Sequence, residues 1–321
     1  MALVDEYRRQ YAWRDWDRAS SQCPIALGQH VLDLGCGPGD ISAALFGRGA
    51  SVTGVDGNHE LISAAKERYP QCAFEEQDLR DLNPSLGMFD GLWCSFTAAY
   101  IADFEAVFSR WAALLKSNAW VCIVDVDDLL GHEPLSDETR STIDEFYEDA
   151  LRERRYDFKA GRKIPGVLEN AGFSVTTLVL EDRELSFNGP ADPEVEQAWK
   201  ARFSRMGGLK AFLKEDFIPF TDDFMRCISS SDHKSLCKVI CCIGTKISKG
   251  SGYGSFDWDS TTQRIAKSPA VQNSLDFAGA AVGAASPARA PDLVAAVVHA
   301  AEICSASTPD VTGREDRFAG P

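Results

Sequence analysis

One segment limits the fold of this chain more than any other: Val31-Leu32-Asp33-Leu34-Gly35-Cys36-Gly37-Pro38-Gly39-Asp40. A short apolar run of strand character enters a turn with three glycines, and a helical pattern follows at once. Glycine lacks Cβ, so it takes positive φ without the ~1–2 kcal/mol that another residue loses there, and it leaves bare backbone for a ligand. Three glycines directly after a buried strand therefore mark a ligand-bearing turn. Dinucleotide-binding turns space their glycines as GxGxxG and seat a pyrophosphate on the helix N-terminus. Here the spacing is GxGxG, and Asp40 stands where the third dinucleotide glycine would be. Its carboxylate would compete with a phosphate for the positive end of the helix, so an uncharged or cationic ligand fits better.

The rest of the chain repeats the alternation of apolar runs and helical patterns that a doubly wound parallel sheet requires. Seven runs read as strands: 30–34, 51–55, 72–74, 91–94, 120–126, 174–180 and 238–243. Between the fourth and fifth, Phe104, Val107, Phe108, Trp111, Leu114 and Leu115 recur at helical spacing and form one apolar face. Ile143, Phe146, Tyr147, Ala150 and Leu151 make a second such face. Asp192-Pro193-Glu194 supplies an N-cap, a first-turn proline and a dipole-favouring acid for a further helix, which is expected to end at Gly207-Gly208. These helical additions, near 136–156 and 193–230, exceed what a sheet crossover needs and predict a cover over the site that would set substrate choice. In segment 1–29, Tyr7, Tyr11, Trp13 and Trp16 either close over the site as a helical lid or pack on the sheet. The sheet domain is expected over 30–248. From 249 to 321 glycine, serine, alanine and proline dominate, which predicts a low-complexity, poorly ordered tail without assigned function.

Charge narrows the partners. The 321 residues carry a formal net charge of -15, and that negative field opposes docking on phosphate backbones or anionic lipid. Nucleic acid and membrane are therefore not expected as partners. The N-terminal residues lack the apolar core of a signal peptide, and no run approaches the ~18 residues of a membrane span, so a cytoplasmic location is expected. Cysteines such as Cys94, Cys122, Cys241 and Cys242 lie in apolar runs and read as reduced core residues. The group Cys237, Cys241 and Cys242 lacks paired CxxC spacing, and no metal site is expected.

Three further segments extend the ligand reading. Val52-Thr53-Gly54-Val55-Asp56-Gly57 ends the second strand in an acid about twenty residues beyond the first glycine, a spacing that lets a carboxylate accept from both hydroxyls of a ribose. Asp56 could instead cap the next helix, but Asn58 can do that work. Phe74-Glu75-Glu76-Gln77-Asp78-Leu79 places an acid after the third strand, where it can accept from an adenine amino group. Phe89-Asp90-Gly91-Leu92-Trp93-Cys94-Ser95-Phe96-Thr97-Ala98-Ala99-Tyr100 ends the fourth strand in small polar and aromatic residues suited to a purine face and a sulfonium centre.

VLDLGCGPGD, VTGVD, QDL and FDGLWCSFTAAY, in that order and spacing, resemble the four cofactor motifs of the class I S-adenosylmethionine-dependent methyltransferases. The resemblance holds from about residue 25 to 127 and more loosely to 246, where VLENAGFSVTTLVLE is similar to the entry to that family's final antiparallel pair. It implies an α/β fold with a seven-stranded, mostly parallel sheet in the order 3-2-1-4-5-7-6, strand seven antiparallel. It also implies S-adenosyl-L-methionine as cofactor, with Asp33, Gly35, Cys36, Gly37 and Gly39 near the methionine portion. Asp56, Gly57 and Asn58 would lie by the ribose, Asp78 and Leu79 by the adenine, and Ser95 and Phe96 at the end of the fourth strand. Two departures stand out. Lys116-Ser117-Asn118-Ala119 replaces a glycine turn before the fifth strand, and Asn118 tolerates the left-handed region such a turn needs. No Asn/Asp-Pro-Pro-Tyr tetrapeptide follows the fourth strand, which favours a small-molecule acceptor over nucleic acid or protein.

Methyl transfer from a sulfonium is an in-line displacement of an already activated group. Alignment can supply ~7–11 kcal/mol, and a general base a smaller ~3–5 kcal/mol where the acceptor oxygen or nitrogen carries a proton. Candidates for that base lie after the fifth strand, where His132 titrates near neutrality; it serves either as base or as a loop histidine bonded to a neighbouring carboxylate. Tyr100 either orients the acceptor or packs over the cofactor. A nicotinamide-dependent oxidoreductase and a cofactor-binding module without turnover remain the alternatives, and oligomeric state is open.

Overall fold

The computed structural model describes residues 3–247; the tail expected over 249–321 lies outside the described residues. In chain order the main elements are α1 (Leu3–Ala12), α2 (Trp16–Ser21), β1 (His30–Leu34), α3 (Asp40–Gly47), β2 (Ser51–Asp56), α4 (His59–Arg68), β3 (Ala73–Glu76), β4 (Phe89–Ser95), α5 (Phe104–Ala112) and β5 (Leu115–Asp127). There follow β6 (His132–Glu133), α6 (Asp137–Arg152), α7 (Ile164–Asn170), β7 (Phe173–Leu180), α8 (Pro193–Arg205), α9 (Gly207–Leu213), α10 (Phe217–Ile228), β8 (Lys234–Ser235) and β9 (Lys238–Lys246). Seven strands form one sheet in the order β3-β2-β1-β4-β5-β9-β7, while β6 and β8 pair as a separate two-stranded ribbon. The sixth and seventh strands of the main sheet are thus β7 and β9, and the expected order is observed. Strands β1 to β5 pair in parallel, and β9 runs antiparallel to both of its neighbours.

The strand sequences explain the layers. Along β5, Trp120, Cys122, Val124 and Val126 face one apolar core, and Val121 and Ile123 face the other, so the central strand is buried on both sides. On the second side Val107, Phe108 and Trp111 of α5 and Ile164 and Leu168 of α7 cover the sheet, as the apolar face read over 104–115 requires, except that α5 ends at Ala112 and Leu115 already opens β5. The first side carries the added helices: Phe146 of α6, Trp199 and Phe203 of α8, Leu209 of α9 and Phe224 of α10 all enter its core. Ser136 caps α6 by accepting from the Thr139 N–H, and Asp192 caps α8 by accepting from Glu194 and Val195.

Two local expectations are corrected. Gly207 does not merely end a helix; α8 stops at Arg205, and Gly207 opens α9 after a break at Met206. The turn expected at 116–119 is absent, because β5 already begins at Leu115 and absorbs the irregularity as a register shift between Phe89 and Gly91 of β4. Asn118 accordingly does not take positive φ. All nine cysteines within the described residues are buried and free. Among the described residues no helix is long and apolar enough to cross a membrane.

Candidate functional site

Parallel strands leave a crevice outside their carboxyl ends, and the topology places that crevice where β1 sits between β2 and β4. A cavity of about 850 Å³ opens there. Its floor at one end is Gly35, Cys36, Gly37 and Pro38 after β1, Asp56, Gly57 and Asn58 after β2, Leu79 after β3, and Ser95, Phe96 and Thr97 after β4. The chain can pass this closely only because Gly35 has no side chain: a Cβ there would lie 2.0 Å from Thr97 Oγ1, and the residue holds φ +71°. The Gly35 N–H donates to the Val55 carbonyl at 2.8 Å, which ties the turn to the neighbouring strand.

Asp56 is the fixed point of this end. Its Oδ2 accepts from the Gly37 N–H at 3.0 Å and its Oδ1 from the Asn58 N–H at 2.8 Å. Each oxygen keeps further accepting capacity toward the cavity. Asn58, not Asp56, caps α4 through bonds from Glu60 and Leu61. Phe96, held at φ +52°, lies beneath the Arg14 guanidinium at 3.9 Å from its ring centroid. Arg14 is in turn paired with the buried Asp182.

Four sequence-predicted residues do not reach the cavity wall. Asp33 is buried behind the turn, where it accepts from Ser42 Oγ at 2.6 Å, and burial raises its pKa to about 7. Gly39 leads into α3, and its missing Cβ makes room for the Phe74 ring, 2.8 Å from where that atom would be. Asp78 is exposed and salt-bridged to Arg80 at 2.8 Å, leaving Leu79 as the one residue of that pair in the wall. His132 departs furthest from expectation. It is 0% exposed, because its two-residue strand pairs with β8 under α8 and α10. Trp199, Phe224 and Phe187 surround the ring, and Nδ1 lies 2.9 Å from His233 Nε2. Burial pushes its pKa down to about 3, so the imidazole is neutral and sealed from the cavity. The histidine read as a candidate base is a core residue.

Residues 31–118 match a methyltransferase domain family. This is the segment that supplies β1 to β4 and the cavity floor. Over this segment the chain matches a methyltransferase domain, and the sheet around it has the strand order expected from the resemblance to class I S-adenosylmethionine-dependent methyltransferases. Curated relatives of the methyltransferase domain include trans-aconitate 2-methyltransferases from Escherichia coli, 30% identical over 112 residues, and from an Enterobacter species, 28% over 139 residues. These matches cover 34% and 43% of this chain but only 44% and 51% of the relatives' own lengths. A solved Bacillus halodurans protein described as a methyltransferase shares the fold at 16% identity and a TM-score of 0.50, over 72% of this chain and 98% of that one.

The other end of the cavity is built by elements the motifs do not announce. Leu3, Glu6, Tyr7, Gln10 and Tyr11 of α1 form one wall, and Tyr7 reaches within 3.5 Å of where a Cβ on Gly37 would stand. The N-terminal aromatics therefore divide: Tyr7, Tyr11 and Trp16 line the cavity, and Trp13 packs beneath Arg9 and Arg183. Tyr100 exposes 64% of its surface, and that surface is cavity wall, set edge-on to Tyr156 at 4.7 Å. Arg155, Arg202 and Arg205 complete this end. Sequence reading missed Tyr156 and all three arginines. No periodicity marks them, since they come from a loop and the last turns of α8, and only the tertiary fold brings them to the strands.

Proposed function

We propose that this cavity binds S-adenosyl-L-methionine and that the protein transfers its methyl group to an oxygen or nitrogen atom of a small-molecule acceptor. The observation that carries the reading is Asp56, a carboxylate pinned by two backbone N–H groups at the cavity floor and keeping accepting capacity for a ribose. Gly35, Cys36 and Gly37 offer bare backbone to the methionine portion, Gly57, Asn58 and Leu79 lie on the adenosine side, and Ser95 and Phe96 stand beneath the reacting centre. Asp33 and Gly39 act from behind by holding the turn. The bound cofactor would supply an activated methyl group, and the protein's work is to align an acceptor with it and exclude water. Tyr7, Tyr100 and the helices α1, α8 and α9 do this from the opposite wall. The acidic helix start supports this reading over a nicotinamide cofactor, since Asp40 Oδ1 is engaged by the Tyr69 hydroxyl at 2.6 Å and keeps a carboxylate where a pyrophosphate would sit. The names of the curated relatives support a small-molecule acceptor.

Thermal melting with added ligand tests the assignment. S-adenosylhomocysteine should raise the melting temperature in a saturable way and NADH should not. A shift with NADH alone would overturn it.

A further inference from the structure

Proton chemistry at the far end of the cavity converges on one side chain. Among the described residues that line the cavity, Glu6 and Asp56 are the only carboxylates and there is no histidine. Asp56 is committed at the floor by the Gly37 and Asn58 N–H groups. Other protic groups of the wall hold their protons: burial pushes Tyr7 up to about 12 and raises Tyr100, Tyr156 and Cys36 as well. Glu6 is different. It is 5% exposed, and its Oε1 is occupied by Gln10 Nε2 at 3.2 Å and by Arg205 Nη2. Among the described residues Oε2 accepts no hydrogen bond, and it is not one of the polar atoms sealed in the core. A carboxylate held by one oxygen and open at the other is a positioned proton acceptor. The charge of Glu6 bears on the hydroxyls of Tyr7 and Tyr100, and that of Asp56 on Tyr7, so Glu6 stands near the floor and the Tyr100 wall alike.

The wall around Tyr100 is aromatic. Tyr100 meets Tyr156 edge-on at 4.7 Å, Tyr156 meets Phe158 at 4.6 Å and Phe158 meets Phe146 at 5.2 Å, and all four line the cavity. Linked rings of this kind offer edges and faces to another planar ring. Arg155 and Arg202 share that wall, and the charge of Arg202 bears on Tyr100 and Tyr156. A cationic acceptor would meet guanidinium groups here, and an anionic one brought up to Glu6 would face a like charge. A neutral ring carrying an acidic hydroxyl meets neither penalty. Of these residues only Tyr100 falls within 31–118, the segment that the family match covers.

We propose, resting on the methyl-transfer reading above, that the acceptor is a phenol and that Glu6 is the catalytic base that takes its proton. The ring would lie against Tyr100, Tyr156 and Phe158 with its hydroxyl toward Glu6 Oε2. As the phenol oxygen bonds to the methyl carbon, its proton passes to Oε2, the carbon–sulfur bond breaks and that electron pair returns to sulfur. An aryl methyl ether, a neutral thioether and a protonated Glu6 result, and Glu6 then gives the proton to water. A phenol ionises near ~10, as the tyrosine side chain does, whereas an aliphatic hydroxyl is a far weaker acid. A carboxylate base therefore favours the phenol.

Binding is measured first, by calorimetry on the full chain preloaded with S-adenosylhomocysteine. Phenol, 4-methylphenol and 4-nitrophenol are compared with benzylamine and benzoate, which carry the same ring with a cationic or an anionic group. At least one phenol should bind ~10-fold or more tightly than either, the gain expected from a hydrogen bond to a charged group. Methyl transfer is then followed with 4-methylphenol and with 4-nitrophenol in mildly alkaline buffer, where 4-nitrophenol is already ionised. Glu6→Gln keeps an oxygen for Gln10 and Arg205 but removes the base. It should cut the 4-methylphenol rate by ~100-fold or more and the 4-nitrophenol rate by less than about tenfold. Glu6→Asp should recover part of the 4-methylphenol rate. The ratio of the two rates is read in one preparation, so partial unfolding cancels from it. Affinity for S-adenosylhomocysteine should stay within about threefold. The proposal is overturned if no phenol is bound and methylated to an aryl methyl ether, if benzylamine or benzoate outbinds every phenol, or if Glu6→Gln lowers both rates by the same factor. Failure of S-adenosylhomocysteine itself to bind would instead sink the cofactor reading.

Discussion

Replacing Asp56 by alanine removes the one carboxylate that the floor of the cavity fixes by backbone bonds. In the protein its oxygens hold the Gly37 and Asn58 N–H groups at 3.0 and 2.8 Å, and the proposed ribose would bond to the capacity that remains. Hydrogen bonds to a charged group contribute ~1.5–3 kcal/mol, which is a loss of roughly 10- to 150-fold in affinity. The fold should survive. Asp56 is only partly buried, water can take over the two freed N–H groups, and α4 keeps its Asn58 cap. Calorimetric titration with S-adenosylhomocysteine, alongside a melting curve showing that the variant is folded, reads the effect. Affinity within twofold of the wild type in a folded variant would refute the assignment of Asp56 to the ribose.

Gly35→Ala should lower the melting temperature and cofactor affinity together, since its Cβ would lie 2.0 Å from Thr97 Oγ1 at a left-handed φ. Adding Thr97→Ala should restore part of the loss, and no recovery would contradict the packing argument. The Asp33 carboxyl, raised to about 7 by burial against about 3.8 in a free chain, holds its proton in the folded state over a range where the unfolded chain has lost it. Its contribution therefore favours folding at low pH and is lost as pH rises from about 4 to 7, so Asp33→Asn should gain stability relative to wild type over that interval in urea titrations. A difference independent of pH would refute this. His132→Gln should lower stability through lost packing against Trp199 and Phe224 but leave the methyl-transfer rate and its pH profile unchanged; a rate loss beyond about tenfold, in the range of a general base, would return His132 to the chemistry.

The half of the cavity at the strand ends was legible because its constraints are local. A strand, a glycine turn and a helix cap are consecutive in sequence, and Gly35, Gly37 and Asp56 can be read from spacing alone. The alternation of runs showed a doubly wound sheet, whereas the strand order came from the resemblance to the class I methyltransferases, because which strands become neighbours is not a local property. His132 was misread because titration near neutrality is a property of the free side chain, whereas its environment comes from Trp199, Phe224 and His233, which lie far away in sequence. Asp78 failed similarly, since Arg80 two residues on offers it a partner at the surface. The acceptor wall was the least legible. Arg155, Arg202 and Arg205 look like solvated helix-end charges in the sequence, and only the packing of α9 against both α6 and α8 makes them a concave surface.

Hydrogen exchange of the full chain with and without S-adenosylhomocysteine tests the central claim most directly, because it reports where the cofactor sits without requiring the acceptor. The account predicts added protection at 35–38, 56–58 and 95–97 and along α1, with the β6–β8 ribbon around His132 unchanged. Binding that leaves those three segments unprotected, or protection confined to another part of the protein, would contradict it.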